Sequence, residues 1–423
     1  MVPNAKGVGS RVRATTNHLE NALSENDSRP RSRDAKLVHL PILTWPALDV
    51  PAELVADEEL VARLEPLRDQ HGLPGLIGGI IHDRQLLAIG AVGRRKIDSP
   101  QPLTIHDKIH LGSCTKAMTA TMIASLVESN RLTWDASIGE FFPDLLRSLH
   151  PDFRTVTVEQ LLTHTAGVPR DGPWSKLGPD PSTTMQRRRL LLRICGSEPE
   201  AKPGANYLYS NVGYMLAGLL AEKSMELSWE RLMHETVFGP LGMDSAGFGP
   251  PGTPGAVDQP WGHRLLDDRL VPNQSDNIPA LGPAGTVHCS MADWARFVAF
   301  HLQGARSDPQ FLAAETFARM HTPPAGRSYA HGWQVTRRDW ADGRVLTHSG
   351  SNRSWKAVVW IAPERNFAVL AAANCGGDHA LKGCDAAAAA LIAYHRQLVR
   401  LPAKTGHDAT MGSRSPSEGM ATY

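Results

Sequence analysis

The sequence predicts an α+β fold, with an antiparallel sheet flanked by N- and C-terminal helices and a mainly helical lobe. Short apolar runs that pair as hairpins lie near both ends of the 423-residue chain. Between them, apolar residues recur at helical spacing and helix-capping patterns appear. We therefore expect residues 75–93 and 344–373 to form one sheet, and residues from about 117 to 300 to form the lobe.

The first hairpin is predicted from two apolar runs, residues 76–81 and 86–92, which the polar turn at 82–85 separates. Ahead of it, the apolar residues of 53–70 recur every three to four positions, which is typical of an amphipathic helix.

The second hairpin is predicted at residues 357–361 and 367–372, which flank a turn at 363–366. The alanine-rich stretch 385–398 follows it and predicts a closing helix that packs on the sheet.

The inserted lobe carries its own boundary signals. Thr157 and Gln160 have the spacing of a capping box, and Gly167 followed by Pro169 indicates a helix end. We expect one catalytic domain over residues 51–400. The polar composition of the N-terminus predicts a flexible or loosely packed segment over 1–50, and residues 401–423 are predicted to be a flexible tail.

Composition excludes several classes of protein. Hydrophobic residues make up 42% of the chain and charged residues 21%, which is typical of a globular protein. The net charge of +1 provides no field for nucleic acid or anionic lipid, so neither partner is predicted. No apolar run is long enough to span a bilayer, and no secretory leader is visible, so a cytoplasmic location is expected by default, with secretion left open. Oligomeric state is left open as well.

Cysteine and histidine usage predicts no metal or other cofactor. The five cysteines are an odd number, so at least one is unpaired in a monomer. They form no zinc-type spacing with each other or with the histidines.

The tetrapeptide Ser113-Cys114-Thr115-Lys116 opens a strongly apolar helical run. Residues three apart share a helix face, so the Ser113 hydroxyl and the Lys116 ammonium can lie side by side. A desolvated lysine can activate a serine by taking its proton or by assisting another base. The alternative is that Ser113 only caps the helix, but a cation in the first turn opposes the helix dipole.

Two further motifs follow in order, Tyr209-Ser210-Asn211 and His348-Ser349-Gly350. With the Ser113 motif, they resemble the S-x-x-K, Y-x-N and K-T-G or H-x-G signature of the serine beta-lactamase and penicillin-binding superfamily. The branch that the chain resembles contains class C beta-lactamases, D-alanyl-D-alanine carboxypeptidases and class C-like esterases. Further stretches resemble this branch at 161–168, 209–214, 283–285 and 291–297. The likeness covers roughly residues 55–398.

The resemblance implies a role for each motif residue. Ser113 would be the acylated nucleophile, with Lys116 maintaining the protonation of the Ser113–Tyr209 pair and Tyr209 acting as base and then as acid. Asn211 would bind the substrate amide or hold Lys116. The backbone N–H groups of Ser113 and Ser351 would form the oxyanion hole.

The third motif bears on the substrate. His348, Ser349, Gly350 and Ser351 are expected to bind the substrate, and histidine in place of lysine removes a permanent cation that would hold a carboxylate. We therefore expect an esterase-like serine hydrolase on small ester or amide substrates. A D-alanyl-D-alanine carboxypeptidase acting on D-amino-acid peptides, or a beta-lactamase, is the alternative. A catalytically silent binding module with the same fold is the alternative of another class.

Overall fold

A computed structural model describes residues 48–51, 53–177, 182–306 and 312–400. Flexible or loosely packed segments were predicted over 1–50 and 401–423, and of these, residues 1–47 and 401–423 lie outside the described residues. At the start of the described part, Leu48 is buried and Asp49 pairs with Gln85 at an isolated bridge.

Eleven strands lie within the described residues. Their bounds are β1 (Gly75–His82), β2 (Gln85–Gly93), β3 (Lys108–His110), β4 (Gly247–Phe248), β5 (Gly262–Leu266), β6 (Arg269–Asn273), β7 (Val287–Ser290), β8 (Gln334–Arg338), β9 (Gly343–Ser351), β10 (Lys356–Ala362) and β11 (Phe367–Ala373).

Thirteen α-helices lie within the same ranges. They are α1 (Glu58–Gln70), α2 (Thr115–Glu128), α3 (Ile138–Phe141), α4 (Pro151–Arg154), α5 (Val158–Leu162), α6 (Thr183–Cys195), α7 (Asn211–Met225), α8 (Trp229–Met233), α9 (Gly239–Leu241), α10 (Gly282–Gly285), α11 (Met291–Ala305), α12 (Ala314–Met320) and α13 (Asp378–Leu398).

The main sheet has six antiparallel strands in the order β2-β1-β11-β10-β9-β8. Both predicted hairpins are confirmed, and β1 lies between its hairpin partner β2 and the last strand, β11. Strand β8 joins at the edge, where its polar sequence Gln-Val-Thr-Arg-Arg gave no strand signal. Two small sheets, β3-β7-β4 and β5-β6, complete the fold.

The sheet separates two hydrophobic cores. Along β1, Leu76 and Ile80 face a core that includes helices α1 and α13, whereas Ile77 and Ile81 face the larger core of the helical body. This alternation follows from the two-residue period of a strand. The prediction that N- and C-terminal helices pack on the sheet is therefore confirmed.

Local signals in the lobe also place its helices. Thr157 Oγ1 accepts the Gln160 N–H at 3.2 Å while Gln160 Oε1 accepts the Thr157 N–H at 3.1 Å, so the capping box predicted for α5 is formed. The closing helix α13 begins at Asp378, earlier than the alanine-rich run. Strands β4 to β7 fall within 117–300, so the helical segment also contains short strands.

None of the helices in the described ranges is both long and apolar enough to cross a membrane. The five cysteines are buried free thiols, and no cluster of three possible metal ligands occurs in the described part of the chain.

Candidate active site

Ser113 lies in a 3-10 turn, Gly112–Cys114, between β3 and α2. Gly112 has φ of +50°, a left-handed conformation that an L side chain rarely adopts. A Cβ there would also lie 2.3 Å from the Ser351 backbone nitrogen. Glycine therefore allows the turn that carries Ser113 to contact the end of β9.

Lys116 follows one turn later in α2, and its side chain is fully buried. Its Nζ lies 3.2 Å from Ser113 Oγ, 2.8 Å from Asn211 Oδ1 and 2.8 Å from the Ala284 carbonyl oxygen. Burial lowers the pKa of Lys116 to about 7, because the charged form loses its hydration. The structure thus brings Ser113, Lys116 and Asn211 together.

Asn211 is the first residue of α7 and connects Lys116 to a carboxylate. Its Oδ1 accepts from Lys116, and its Nδ2 donates to Asp171 Oδ1 at 2.8 Å. Of the two alternatives open for Asn211, the structure shows the contact with Lys116.

Tyr209 lies beside the same group. Lys116 Nζ is 4.9 Å from the centre of the Tyr209 ring, and Tyr209 lines the same cavity as Ser113. Burial nevertheless raises the pKa of Tyr209 to about 12. Tyr209 is therefore a neutral phenol near pH 7, whereas the role of base that the resemblance implies needs a phenolate.

His164 supports the segment that carries Tyr209. Its carbonyl oxygen accepts the Leu208 N–H at 2.8 Å, and its Nδ1 accepts the Ser210 N–H at 3.0 Å. These two bonds lie on either side of Tyr209, so His164 fixes the backbone both before and after this residue.

Gly350 brings β9 against the Ser113 turn. A Cβ on Gly350 would lie 1.9 Å from the Leu111 carbonyl oxygen and 2.8 Å from the Ser113 backbone nitrogen. Gly350 thus packs against the Ser113 backbone, as Gly112 does against the Ser351 backbone, and this brings together the two segments that the expected oxyanion hole requires.

The His348 ring is held by two hydrogen bonds within the protein. Its Nδ1 donates to the Ser349 carbonyl oxygen at 2.9 Å, which leaves Nε2 to accept from Tyr329 Oη at 2.9 Å. Burial lowers the pKa of His348 to about 3. Both ring nitrogens have partners within the protein, and His348 also lines the cleft, so its role in binding substrate stays a prediction.

Lys356 supplies a cation beside the third motif instead. Ser349 and Ser351 are exposed on one face of β9, and Lys356 of β10 lies opposite Ser351. The Lys356 Nζ reaches 3.5 Å from Ser349 Oγ. Within the described residues, Lys356 forms no ion pair. Burial raises the pKa of the neighbouring Asp385 carboxyl, and the charge of Lys356 opposes this shift.

One cleft of about 1050 Å³ is lined by Ser113, Tyr209, Asn211, His348, Ser349, Ser351 and Lys356, and also by Arg170, Arg264 and Arg353. The sequence motifs did not reveal Asp171, Tyr329 and Lys356. Each contacts a motif residue directly, but only because the fold brings distant segments together. The exposed alternate positions of β9 were the one available signal for a neighbour on β10, but the register was needed to identify it.

The family model described as Beta-lactamase matches residues 60–394, and the chain belongs to this family. Its superfamily consists mostly of serine hydrolases. The resemblance inferred from the three motifs is therefore confirmed.

Named relatives are distant. Protein flp of Staphylococcus aureus (strain COL) is 22% identical over 315 residues, which are 73% of this chain and 61% of flp. The chain thus spans less than two thirds of that relative's length. Penicillin-binding protein 4 of Amycolatopsis lactamdurans is 24% identical over 336 residues, 74% of this chain and 84% of that protein. The octameric penicillin-binding protein homologue from Pyrococcus abyssi aligns with a TM-score of 0.66 and 25% identity, covering 79% of this chain and 77% of the other.

Proposed function

We propose that the protein is a serine hydrolase that acts on small ester or amide substrates through an acyl intermediate on Ser113. The observation that carries the proposal is the set of three contacts at Lys116 Nζ, to Ser113, Asn211 and Ala284. Family membership supports the reaction class.

The contacts at Lys116 determine which neighbour the lone pair of its neutral amine faces, and so which proton the amine can accept. The Ala284 oxygen is a carbonyl and can only accept. Asn211 presents its oxygen to Lys116, because its amide group donates to Asp171. Two N–H bonds of neutral Lys116 are thereby used, and its lone pair is left for the Ser113 hydroxyl proton. A pKa of about 7 makes this neutral form available near physiological pH.

This geometry supports Lys116, rather than Tyr209, as the group that takes the first proton. Ser113 Oγ attacks the substrate carbonyl carbon, Lys116 takes the hydroxyl proton, and the carbonyl electron pair moves to oxygen. The N–H groups of Ser113 and Ser351 stabilise that oxyanion. When the intermediate collapses, the bond to the leaving group breaks, and Tyr209 hands it a proton that Lys116 replaces. Water then releases the acid by the same steps in reverse.

A second candidate function, a carboxypeptidase-like reaction, is favoured by Lys356. The sequence favoured neutral esters because the third motif lacks a lysine, but Lys356 Nζ lies 3.5 Å from Ser349 Oγ on the same face of the sheet. A carboxylate on the leaving side can pair with this ammonium and accept from the Ser349 hydroxyl. Substrates of that kind include D-amino-acid peptides.

The experiment that tests the acyl-serine proposal is covalent labelling. A fluorophosphonate should attach one label to Ser113, detected by peptide mass spectrometry, and nitrophenyl esters should be hydrolysed. Ser113→Ala should abolish both. The matched control is Ser129→Ala at the C-terminal end of the same helix, which should change neither.

Labelling that persists in Ser113→Ala would contradict the assignment of the nucleophile. Wild-type protein that is neither labelled nor active on esters, nitrocefin or D-Ala-D-Ala peptides would instead support the silent binding module.

A further inference from the structure

Asp276 lies in the loop after β6 and binds both backbone segments of the expected oxyanion hole. Its side chain is 4% exposed. One carboxylate oxygen is 2.8 Å from His110 Nε2, and the other accepts from Asn352 Nδ2 at 2.8 Å. His110 comes just before the Ser113 turn, and Asn352 comes just after Ser351.

The connection through His110 ends on the residue next to the nucleophile. The Gly112 N–H donates to His110 Nδ1 at 3.1 Å. Since Nδ1 accepts, the ring proton is on Nε2 and is donated to Asp276. The carboxylate therefore fixes the tautomer and the orientation of His110, which in turn holds the Gly112 peptide.

The connection through Asn352 fixes the other segment. The Asn352 amide group donates to Asp276, and its side-chain oxygen accepts the Ser354 N–H at 3.1 Å. The turn after β9 is thus held on the same carboxylate as the turn before α2. Both of these segments pack in direct contact at Gly112 and Ser351.

We propose that Asp276 is a positioning residue for the oxyanion hole, because it sets the distance between the Ser113 and Ser351 N–H groups through His110 and Asn352. The inference rests on the proposed acyl-serine function. Oxyanion donors act only when they are held at hydrogen-bond distance from the developing charge, and a displacement of about 1 Å can cost ~10²-fold in rate. The role is distinct from substrate binding, since Asp276 reaches the hole only through its two partners.

The test compares Asp276→Asn with wild type. Asparagine has one acceptor oxygen where the carboxylate offers two, so one of the two donors meets an amide N–H. We expect kcat/KM to fall about 10–100-fold with KM changed less than about threefold. The rate of fluorophosphonate labelling and the affinity for phenylboronic acid should fall in parallel, because both place an oxygen in the hole.

Two further variants separate positioning from folding. Asn352→Ala breaks only the Ser351 side and should lower the same quantities to a smaller extent, which keeps the test available if Asp276→Asn does not fold. Asp293→Asn is the matched control, since Asp293 is a buried carboxylate that accepts from Ser245 N at 2.7 Å, outside the cleft. It should lower Tm without changing kcat.

Normal labelling rates and boronate affinity in Asp276→Asn and Asn352→Ala, with only the loss of Tm that Asp293→Asn shows, would overturn the positioning role. Wild-type protein that is not labelled at all would overturn the proposed function, and this inference with it.

Discussion

Asn211 donates its side-chain amide to Asp171 at 2.8 Å, and this bond directs the Asn211 oxygen toward Lys116. Asp171 is half exposed and lies outside every motif. It nevertheless determines whether Asn211 presents its side-chain oxygen or its amide N–H groups to Lys116.

Asp171→Ala should therefore lower kcat/KM about tenfold, the effect of losing a hydrogen bond to a charged group worth ~1.5 kcal/mol. The negative charge of Asp171 raises the pKa of Lys116, so its removal should move the pH dependence of kcat/KM to lower pH. Asp385→Ala, which removes another carboxylate of the cleft, is the control. A shift to higher pH, or an equal effect of the control, would contradict the mechanism.

The pH dependence of wild type provides a second prediction. Below a pKa of about 7, Lys116 is an ammonium and cannot take the Ser113 proton. We expect kcat/KM to rise about tenfold per pH unit up to about pH 7 and then to level off. Lys116→Arg cannot lose its proton and should be about 10²–10⁴-fold slower. Steady-state kinetics from pH 5 to 9 measures both effects, and an active Lys116→Arg enzyme with the wild-type profile would exclude Lys116 as the base.

A third prediction separates Lys356 from His348 as the group that recognises a carboxylate. The quantity is the ratio of kcat/KM for an anionic substrate to that for a neutral analogue. Lys356→Gln should lower this ratio about tenfold, and His348→Gln should leave it within about twofold. Because burial lowers the pKa of His348 to about 3, the ratio should not rise between pH 8 and 5.5. A tenfold rise that His348→Gln abolishes would assign recognition to His348 instead.

A fourth prediction concerns the contact at Gly350. A Cβ there would approach the Leu111 carbonyl oxygen to 1.9 Å, so Gly350→Ala must separate β9 from the Ser113 turn. We expect a loss of about 10²-fold in kcat, or more, because the two oxyanion donors move apart. Gly79→Ala is the control, since its Cβ would meet only an ordinary contact of 3.4 Å with Met291. An active Gly350→Ala enzyme would show that this contact does not set the hole.

Local patterns in the sequence were sufficient for the hairpins and for the residues of the Ser113 motif. Ser113 and Lys116 are one helical turn apart, so their proximity follows from helix geometry alone. Lys356 and Asp276 could not be found in this way. Lys356 reaches Ser349 through the β9–β10 register, and Asp276 reaches His110 across 166 positions of the sequence. Such contacts depend on tertiary packing, which no short pattern encodes.

Strand β1 lies between β2 and β11, with Leu76 paired to Ala373. On the ribosome, β1 therefore has one unpaired edge until ~300 further residues are made, about 15–60 s at ~5–20 residues per second. An open strand edge is a template for wrong pairing, so β1 is exposed to mispairing during this interval. Ser113 is synthesised well before Gly350, which forms the other side of its site. The active site is therefore complete only after a segment roughly 240 positions beyond its serine has been made and has folded against it.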